Sequence, residues 1–500
     1  MERHADAARI LDDVVEAAPG LIDALMVRGL AARGLGNMDT AETFFTRVIA
    51  IDPTSASARL NRAMTYAAQG RVEDAAEDLR SARRVWETAA NPVNRMVFAR
   101  EFGDAWRTIG EMDRAMQLYR TAVDTGEKND LDYRNAWRRV IDVLIARKQW
   151  AVARQEIEKA IARHEDEVWF YRAYADVLKA QEQVEQELAV LQKALELEPK
   201  DVLTVQRYLA SLMYYERYED VLKVAAPYVG KEGYDIWLDA TRATAMAKLG
   251  RTREAETLLL DAFKKSSKPI QYDAVIQNLW LAFGSQEAES KLTEWLTYRP
   301  NTPEVYKHLG GLRQSVGDHD GALEAFRKAA ELFTRPEDKA EALNLAAGSL
   351  DAKGQYKQAE AEYLRALRQN PKHLAALNNL AYLYVDRLNR ANDALPHVEK
   401  ALAIRPNDGH ILDTYGWVLA RMNRVDEALP QLELAQRYAP GTVDIYYHLG
   451  WVYEKKDRLE DARDQYRKAR ELVDKEHPLA DPISEGLQRV QGRIDSRETS

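Results

Sequence analysis

The sequence predicts an all-α fold, built as a stack of antiparallel helix pairs following one another in chain order. Two observations carry this. The stretches YGWVLARMNRVDEAL (415–429) and LGWVYEKKDRLEDAR (449–463) lie 34 residues apart and agree at Gly416 and Gly450, Trp417 and Trp451, Arg424 and Arg458, and Ala428 and Ala462. The 500 residues contain only 24 glycines and 16 prolines, sparse punctuation for a β-rich protein. One hydrophobic core rarely grows to this length, so an array of small repeated units is the natural arrangement.

With Gly416 as position 8 of a repeat, Leu412, Tyr415 and Leu419 fall at 4, 7 and 11, Ala428 at 20, Leu432 at 24, Ala435 at 27 and Pro440 at 32. The next repeat supplies Tyr446, Leu449, Gly450, Tyr453, Ala462, Tyr466 and Ala469 in the same slots. Earlier ones supply Gly29, Ala41, Phe45 and Pro53, and Tyr306, Leu309, Gly310, Ala322, Phe326 and Ala329. The ruler marks thirteen starts, near 22, 56, 96, 134, 168, 202, 236, 269, 303, 340, 374, 409 and 443. Each repeat reads as two amphipathic helices joined by a tight turn. Small residues at 8 and 20 allow close approach, larger apolar residues fill the space around them, and proline at 32 ends the second helix. The repeat near 202 departs from this, with Leu209 and Val221 in the small slots. Spacing stretches at ETAANPVNR (87–95), DTGEKNDLD (124–132) and FTRPEDK (333–339), which read as longer turns.

This pattern is similar to the tetratricopeptide repeat, whose signature runs W-x2-L-G-x2-Y, then A-x3-F, then P. The resemblance covers nearly the whole chain. It implies a right-handed α-solenoid superhelix whose first helices present positions 2, 5, 9 and 12 to a concave groove. It also implies a scaffold that binds protein or peptide partners there, with no enzymatic activity and no cofactor.

Residues 1–20 match only a second helix, with Ala7, Leu11, Val14 and Pro19 at positions 20, 24, 27 and 32. They therefore read as a half repeat whose natural start lies upstream, and as a surface open to self-association. A continuous array is expected over 21–477. Residues 478–495 read as a capping helix with Leu487 and Val490 in its apolar stripe, and 496–500 as a disordered tail.

Composition narrows the function. The net charge of −9 disfavours a nucleic-acid-binding role. Zero cysteine excludes disulfides and thiolate chemistry and leaves cytoplasm and periplasm equally open. No apolar run is long enough for membrane insertion. Metalloprotease, nucleophile-elbow and phosphate-loop motifs are absent, and the nine histidines show no pair at metal spacing within one helix.

Two groups of groove positions stand out. Repeats three to five carry Arg at 5 and Asp at 9: Arg100 and Asp104, Arg138 and Asp142, Arg172 and Asp176. These suit an intrahelical i,i+4 ion pair, a pairing between neighbouring repeats, or a polar strip open to a ligand. Repeats eleven to thirteen carry Tyr382, Trp417 and Trp451 at 9, Asn378, Asp413 and Tyr447 at 5, and Asn379 and His448 at positions 6. These aromatics suit either packing between repeats or anchors in the groove. Asn61 and His308 at position 6, and the Arg134, Arg138, Arg139 cluster, read as hydrogen-bonding and solvated positions. A second functional reading is a subunit of a bacterial envelope assembly for secretion or polysaccharide export, whose aromatics would contact sugar rings.

Overall fold

The computed structural model describes residues 2–88, 95–125, 131–474 and 477–498. Helices are the only regular structure among the described residues, with 28 α-helices and no strand. The chain divides into two compact units, Met1–Arg217 and Tyr218–Ser500. The boundary falls inside the sixth repeat, between the helices that carry Leu209 and Val221 in place of small residues.

In the N-terminal unit α1 (Glu2–Ala17) precedes the pairs α2 (Ile22–Gly34) and α3 (Met38–Ile51), α4 (Ala56–Ala68) and α5 (Val72–Thr88), α6 (Arg95–Thr108) and α7 (Met112–Thr125), α8 (Leu131–Ala146) and α9 (Trp150–Arg163), α10 (Val168–Ala180) and α11 (Val184–Leu197), with α12 (Val202–Tyr214) last. In the C-terminal unit α13 (Tyr218–Ala225) precedes α14 (Asp235–Lys248) and α15 (Thr252–Lys265), α16 (Pro269–Phe283) and α17 (Ser285–Trp295), α18 (Pro303–Ser315) and α19 (His319–Leu332), α20 (Pro336–Ala352) and α21 (Tyr356–Gln369), α22 (Leu374–Tyr382) and α23 (Ala391–Ile404), α24 (Gly409–Arg421) and α25 (Val425–Tyr438), α26 (Val443–Lys455) and α27 (Leu459–Glu471), and finally α28 (Ala480–Glu498). Nine of the thirteen first helices begin on the residue that the ruler marks.

The contact that sets the spacing is between positions 8 and 24. A Cβ added to Gly450 would stand 2.7 Å from the ring of Tyr466, one on Gly416 2.6 Å from Leu432, and one on Gly29 2.6 Å from Phe45. The large side chain of the second helix therefore lies directly on the backbone of the first. Ala428, Ala462 and Ala41, at position 20, are fully buried in the same seams. Helix ends follow local rules. A left-handed residue closes each first helix, as Gly36 does at φ 82° in repeat one and Asn423 at φ 62° in repeat twelve. The residue after it donates its N–H back into the helix, as from Asn37 to the Ala32 carbonyl at 2.9 Å.

Three further repeats depart from the plan. In repeat eight Ile276 occupies the small slot, only Gly284 separates α16 from α17, and α16 packs chiefly along α14. Ala240, Ala243 and Thr244 make that face of α14 small enough, and Thr244 Oγ1 donates to Asn278 Oδ1 at 2.8 Å across it. In repeat ten FTRPEDK is no longer turn. Pro336 sits at the first position of α20 and Lys339 is already helical, so the extra residues add a turn of helix, favoured by Pro336, Glu337 and Asp338 at its positive end. In repeat eleven α22 runs into a π-helical turn, Leu383–Arg387, in which the Leu388 N–H donates to the Leu383 carbonyl at 3.0 Å. Of the other two stretched turns, 87–95 and 124–132, the flanks are helical and residues 89–94 and 126–130 lie outside the described residues.

α28 covers the last pair. Ile483, Val490 and Ile494 are buried, whereas Leu487 is only half-buried. The helix extends to Glu498, beyond the point at which a disordered tail was expected, because Arg493 pairs with Asp457 at 2.7 Å and Arg497 joins the same carboxylate.

Replacing Gly450 by valine is expected to destabilise the C-terminal unit by roughly 1–3 kcal/mol through overpacking against Tyr466. Urea unfolding followed by circular dichroism measures this. The exposed Gly492 of α28, which has no atom within 4 Å of an added Cβ, is the control, and Gly492→Ala is expected to leave the midpoint unchanged or raised.

Candidate functional site

The Arg and Asp strip of the N-terminal unit is built into the spacing of its first helices. No i,i+4 pair forms between Arg138 and Asp142 or between Arg172 and Asp176. Arg138 instead reaches Glu167, the N-cap of α10, at 2.7 Å, and Arg172 reaches Asp201, the N-cap of α12. Both partners lie 29 residues ahead, one residue before the next repeat begins. Two of the three aspartates reach forward as well. Asp104 receives Arg139 at 2.8 Å and the hydroxyl of Tyr119 at 2.8 Å, and Asp176 receives Arg207 at 2.7 Å. Asp142 lies 4.0 Å from Arg139 on its own helix, and burial holds its carboxyl above the usual range against the pull of that arginine. Arg100 lies 3.6 Å from Glu101. The basic cluster is neutralised in the same way, with Arg134 3.6 Å from Glu167. The strip straps each first helix to the next. These partly exposed pairs are worth about 0.2–1 kcal/mol each.

The aromatic strip of the C-terminal unit is largely packing. Trp417 is only 2% exposed. Its ring stacks on His448 at 4.2 Å and 15°, and meets Trp451 edge-on at 5.3 Å. Tyr447 lies 6.2 Å away. The indole Nε1 of Trp417 has no hydrogen-bond partner. Trp417 thus cannot serve as a groove anchor, because a second aromatic layer from α26 covers it. Tyr382, Tyr447 and Trp451 are half-buried, with Arg387 6.0 Å above the Tyr382 ring and Lys455 4.9 Å above that of Trp451. Beneath them His448 Nδ1 and Asp413 Oδ1 form a buried pair at 2.8 Å. Burial alone would lower the His448 pKa. Asp413, with Asp444 and Asp386 further off, outweighs that and raises it. Asn379 donates to Asn344 at 3.2 Å in the preceding repeat, and the Oδ1 of Asn378 is buried without a partner.

An open cavity with an exposed aromatic edge lies elsewhere. A cavity of about 490 Å³ is bounded by α16, α18 and α20. Ile276, Leu312 and Leu345 give it apolar walls, and Gly311 leaves its middle unobstructed. Trp280 stands at its edge, 47% exposed, with Nε1 donating to Ser285 Oγ at 2.8 Å. It is the one tryptophan of the ten that is exposed. Asp273 holds His308 at 2.6 Å, Lys307 lines the wall, and Glu341 pairs with His373 at 3.0 Å. The hydrogen bond from His373 holds the Glu341 carboxyl below its usual range despite burial. Of these residues the repeat pattern singled out only His308. Trp280 sits at position 12, a groove slot, but in the repeat whose small residue is replaced by Ile276, and that irregularity hid it. Among the described residues no group of acidic and histidine side chains is placed to hold a metal ion, and no helix is long and apolar enough to cross a membrane.

A profile of the Tetratricopeptide repeat family matches residues 1–56, 60–130, 345–409 and 416–477, just over half of the chain. The chain belongs to the tetratricopeptide repeat family. Proteins built from this repeat act as interaction scaffolds, and so does this one. Photosystem I assembly protein Ycf3 of Synechococcus sp. (strain CC9902) is 30% identical over 125 residues, which span 23% of this chain and 72% of that protein. Ycf3 of Prochlorococcus marinus (strain MIT 9211) is 32% identical over 83 residues, 17% of this chain and 48% of that protein. Among solved structures, YrrB, described as a TPR protein with an unusual peptide-binding site, is 27% identical and aligns with 39% of this chain and 97% of its own at a TM-score of 0.30. Naa15/Naa10 bound to HypK-THB is 13% identical and aligns with 99% of this chain and 97% of its own at a TM-score of 0.45.

Two expectations follow for the aromatic layer. Trp417→Ala removes a fully enclosed ring and is expected to cost about 3–5 kcal/mol in a urea titration of the C-terminal unit. The raised His448 pKa gives the pair a definite sign. Its stabilisation is complete below the ordinary imidazole value of about 6.5 and fades as pH rises through the folded-state value. The stability gap between wild type and His448→Gln should therefore be widest in mild acid and narrow with increasing pH.

Proposed function

We propose that the chain holds an extended segment of a partner protein in the groove between α16, α18 and α20, as a non-enzymatic scaffold. The observation that carries this is the exposed Trp280 beside a cavity of about 490 Å³ whose walls come almost wholly from first helices. An exposed indole over apolar walls offers a large contact area at low entropic cost, the usual character of an anchor at a protein interface. Lys307 and the His308–Asp273 and His373–Glu341 pairs supply polar groups that would fix the register of a bound backbone. The resemblance to a photosystem I assembly protein fits a role in bringing protein partners together. The positions first marked at Tyr382, Tyr447 and Trp451 would extend the same contact surface, with Trp417 and His448 supporting them from beneath.

The test is affinity capture with the full chain followed by mass spectrometry, comparing wild type, Trp280→Ala and Gly311→Trp. Gly311 is helical and exposed with open space at its Cβ, so tryptophan there is expected to fill the groove without moving the thermal melt. Proteins retained by wild type and lost by at least roughly tenfold in both variants would support the proposal. Undiminished capture would sink it, and binding on a saccharide array without any protein partner would favour the envelope-polysaccharide reading instead.

A further inference from the structure

A second cavity, away from the Trp280 groove, gathers positive charge in a chain whose net charge is −9. It has a volume of about 320 Å³ and is lined by Arg327 of α19, Lys339 of α20, and Arg365 and Arg368 of α21, over a floor of Ala330 and Leu343. The arrangement is organised by one buried carboxylate. Glu362 is 3% exposed, and it accepts hydrogen bonds from Arg327 Nε at 2.9 Å and Nη2 at 2.7 Å on one oxygen and from Arg365 Nη1 at 2.8 Å on the other. Two guanidinium groups from successive second helices are thereby held in place with most of their N–H donors unused. The side chains of Lys339 and Arg368 make no ion pair or hydrogen bond among the described residues. Glu331, the remaining acid in the lining, is engaged by Lys328 at 3.3 Å. Four cations thus face one carboxylate that is already shared and one that is already paired.

We propose that Arg327, Lys339, Arg365 and Arg368 form a recognition site for a phosphoryl group carried on a peptide side chain. Guanidinium forks match the oxygens of a phosphoryl group, and the lysine adds a mobile point charge. A phosphoryl group offers these donors three terminal oxygens and more negative charge, where a carboxylate offers two oxygens. The source of the group is argued from the adjoining space. Arg327 and Glu331 also line a neighbouring trough of about 760 Å³, whose walls mix Leu296, Tyr306, Leu309 and Leu323 with Asp320 and Glu324. A free phosphate ion would leave that trough empty, whereas a peptide would lay its neighbouring residues in it.

The experiment is calorimetric titration of the full chain at fixed ionic strength with three probes. These are a leucine-flanked phosphoserine hexapeptide, its unphosphorylated twin, and inorganic phosphate. The phosphopeptide is expected to bind at least roughly tenfold more tightly than the twin, with inorganic phosphate competing weakly. The variant Arg365→Gln/Arg368→Gln, changed only at exposed side chains, is expected to lose that preference while its circular dichroism melt stays in place. Equal binding of the two peptides, or undiminished preference in the variant, would overturn the proposal. Inorganic phosphate binding as tightly as the phosphopeptide would overturn the peptide source.

Discussion

The structure rests on one short-range contact, the seating of a large side chain from the second helix on the bare backbone of the first, made at Gly29, Gly103, Gly310, Gly416 and Gly450. Gly450 beneath Tyr466 and Gly29 beneath Phe45 are the same contact some 400 residues apart in the chain. It fixes the distance between the helices of a pair, and the alanines at position 20 fix it from the other side. No pair can bury its apolar surface alone, so this spacing must repeat for the next pair to dock. Where the contact is lost, the packing changes. Ile276 goes with a first helix that leans on the preceding first helix, and Leu209 with Val221 marks the repeat in which the chain divides into two compact units.

Periodicity reads this kind of contact well, because both partners lie within one repeat. Positions 8, 20 and 24 are legible in LGWVYEKKDRLEDAR by inspection, and so are nine of the helix starts. Contacts between repeats are less visible. Arg138 and Asp142 look like an i,i+4 pair, yet Arg138 turns to Glu167. That carboxylate belongs to the residue just before the next first helix, a position that a single-repeat view does not bring near. Trp417 looks as available as Trp451 from spacing alone. It is buried because Tyr447, His448 and Trp451 of the following repeat all fold over it, and only the stacking of one repeat on the next decides which is covered. Trp280 was illegible for the opposite reason. Its repeat has drifted so far from the pattern that position 12 no longer announces itself.

The two units use charge differently. In the N-terminal unit arginines and aspartates satisfy one another along the first helices, which consumes the polar strip as internal scaffolding. In the C-terminal unit two clusters built on buried carboxylates stand out from the exposed ion pairs. One is the enclosed histidine–aspartate pair beneath the aromatic layer, and the other is the set of arginines held by Glu362. In both, a buried carboxylate orients its partner, an imidazole in one and guanidinium groups in the other. The first arrangement is sealed by indole rings and contributes to packing, while the second leaves its donors facing an open space. The same elementary pairing thus serves cohesion in one repeat and exposure in another, and the difference lies in what covers it.

The π-helical turn at Leu383–Arg387 has a consequence for how such a chain can change length over time. Repeat eleven spans 35 residues from Leu374 to Gly409, one more than the ruler, yet no bulge appears in the connection to α23. The additional amino acid is absorbed inside the rod by a wider coil, so the seam on either side keeps its phase. A codon gained within a first helix need not scramble the docking of everything downstream. Arrays of this kind can therefore accumulate small insertions in their rods as well as in their links, and each one rotates the local surface to offer a new set of side chains to the surroundings.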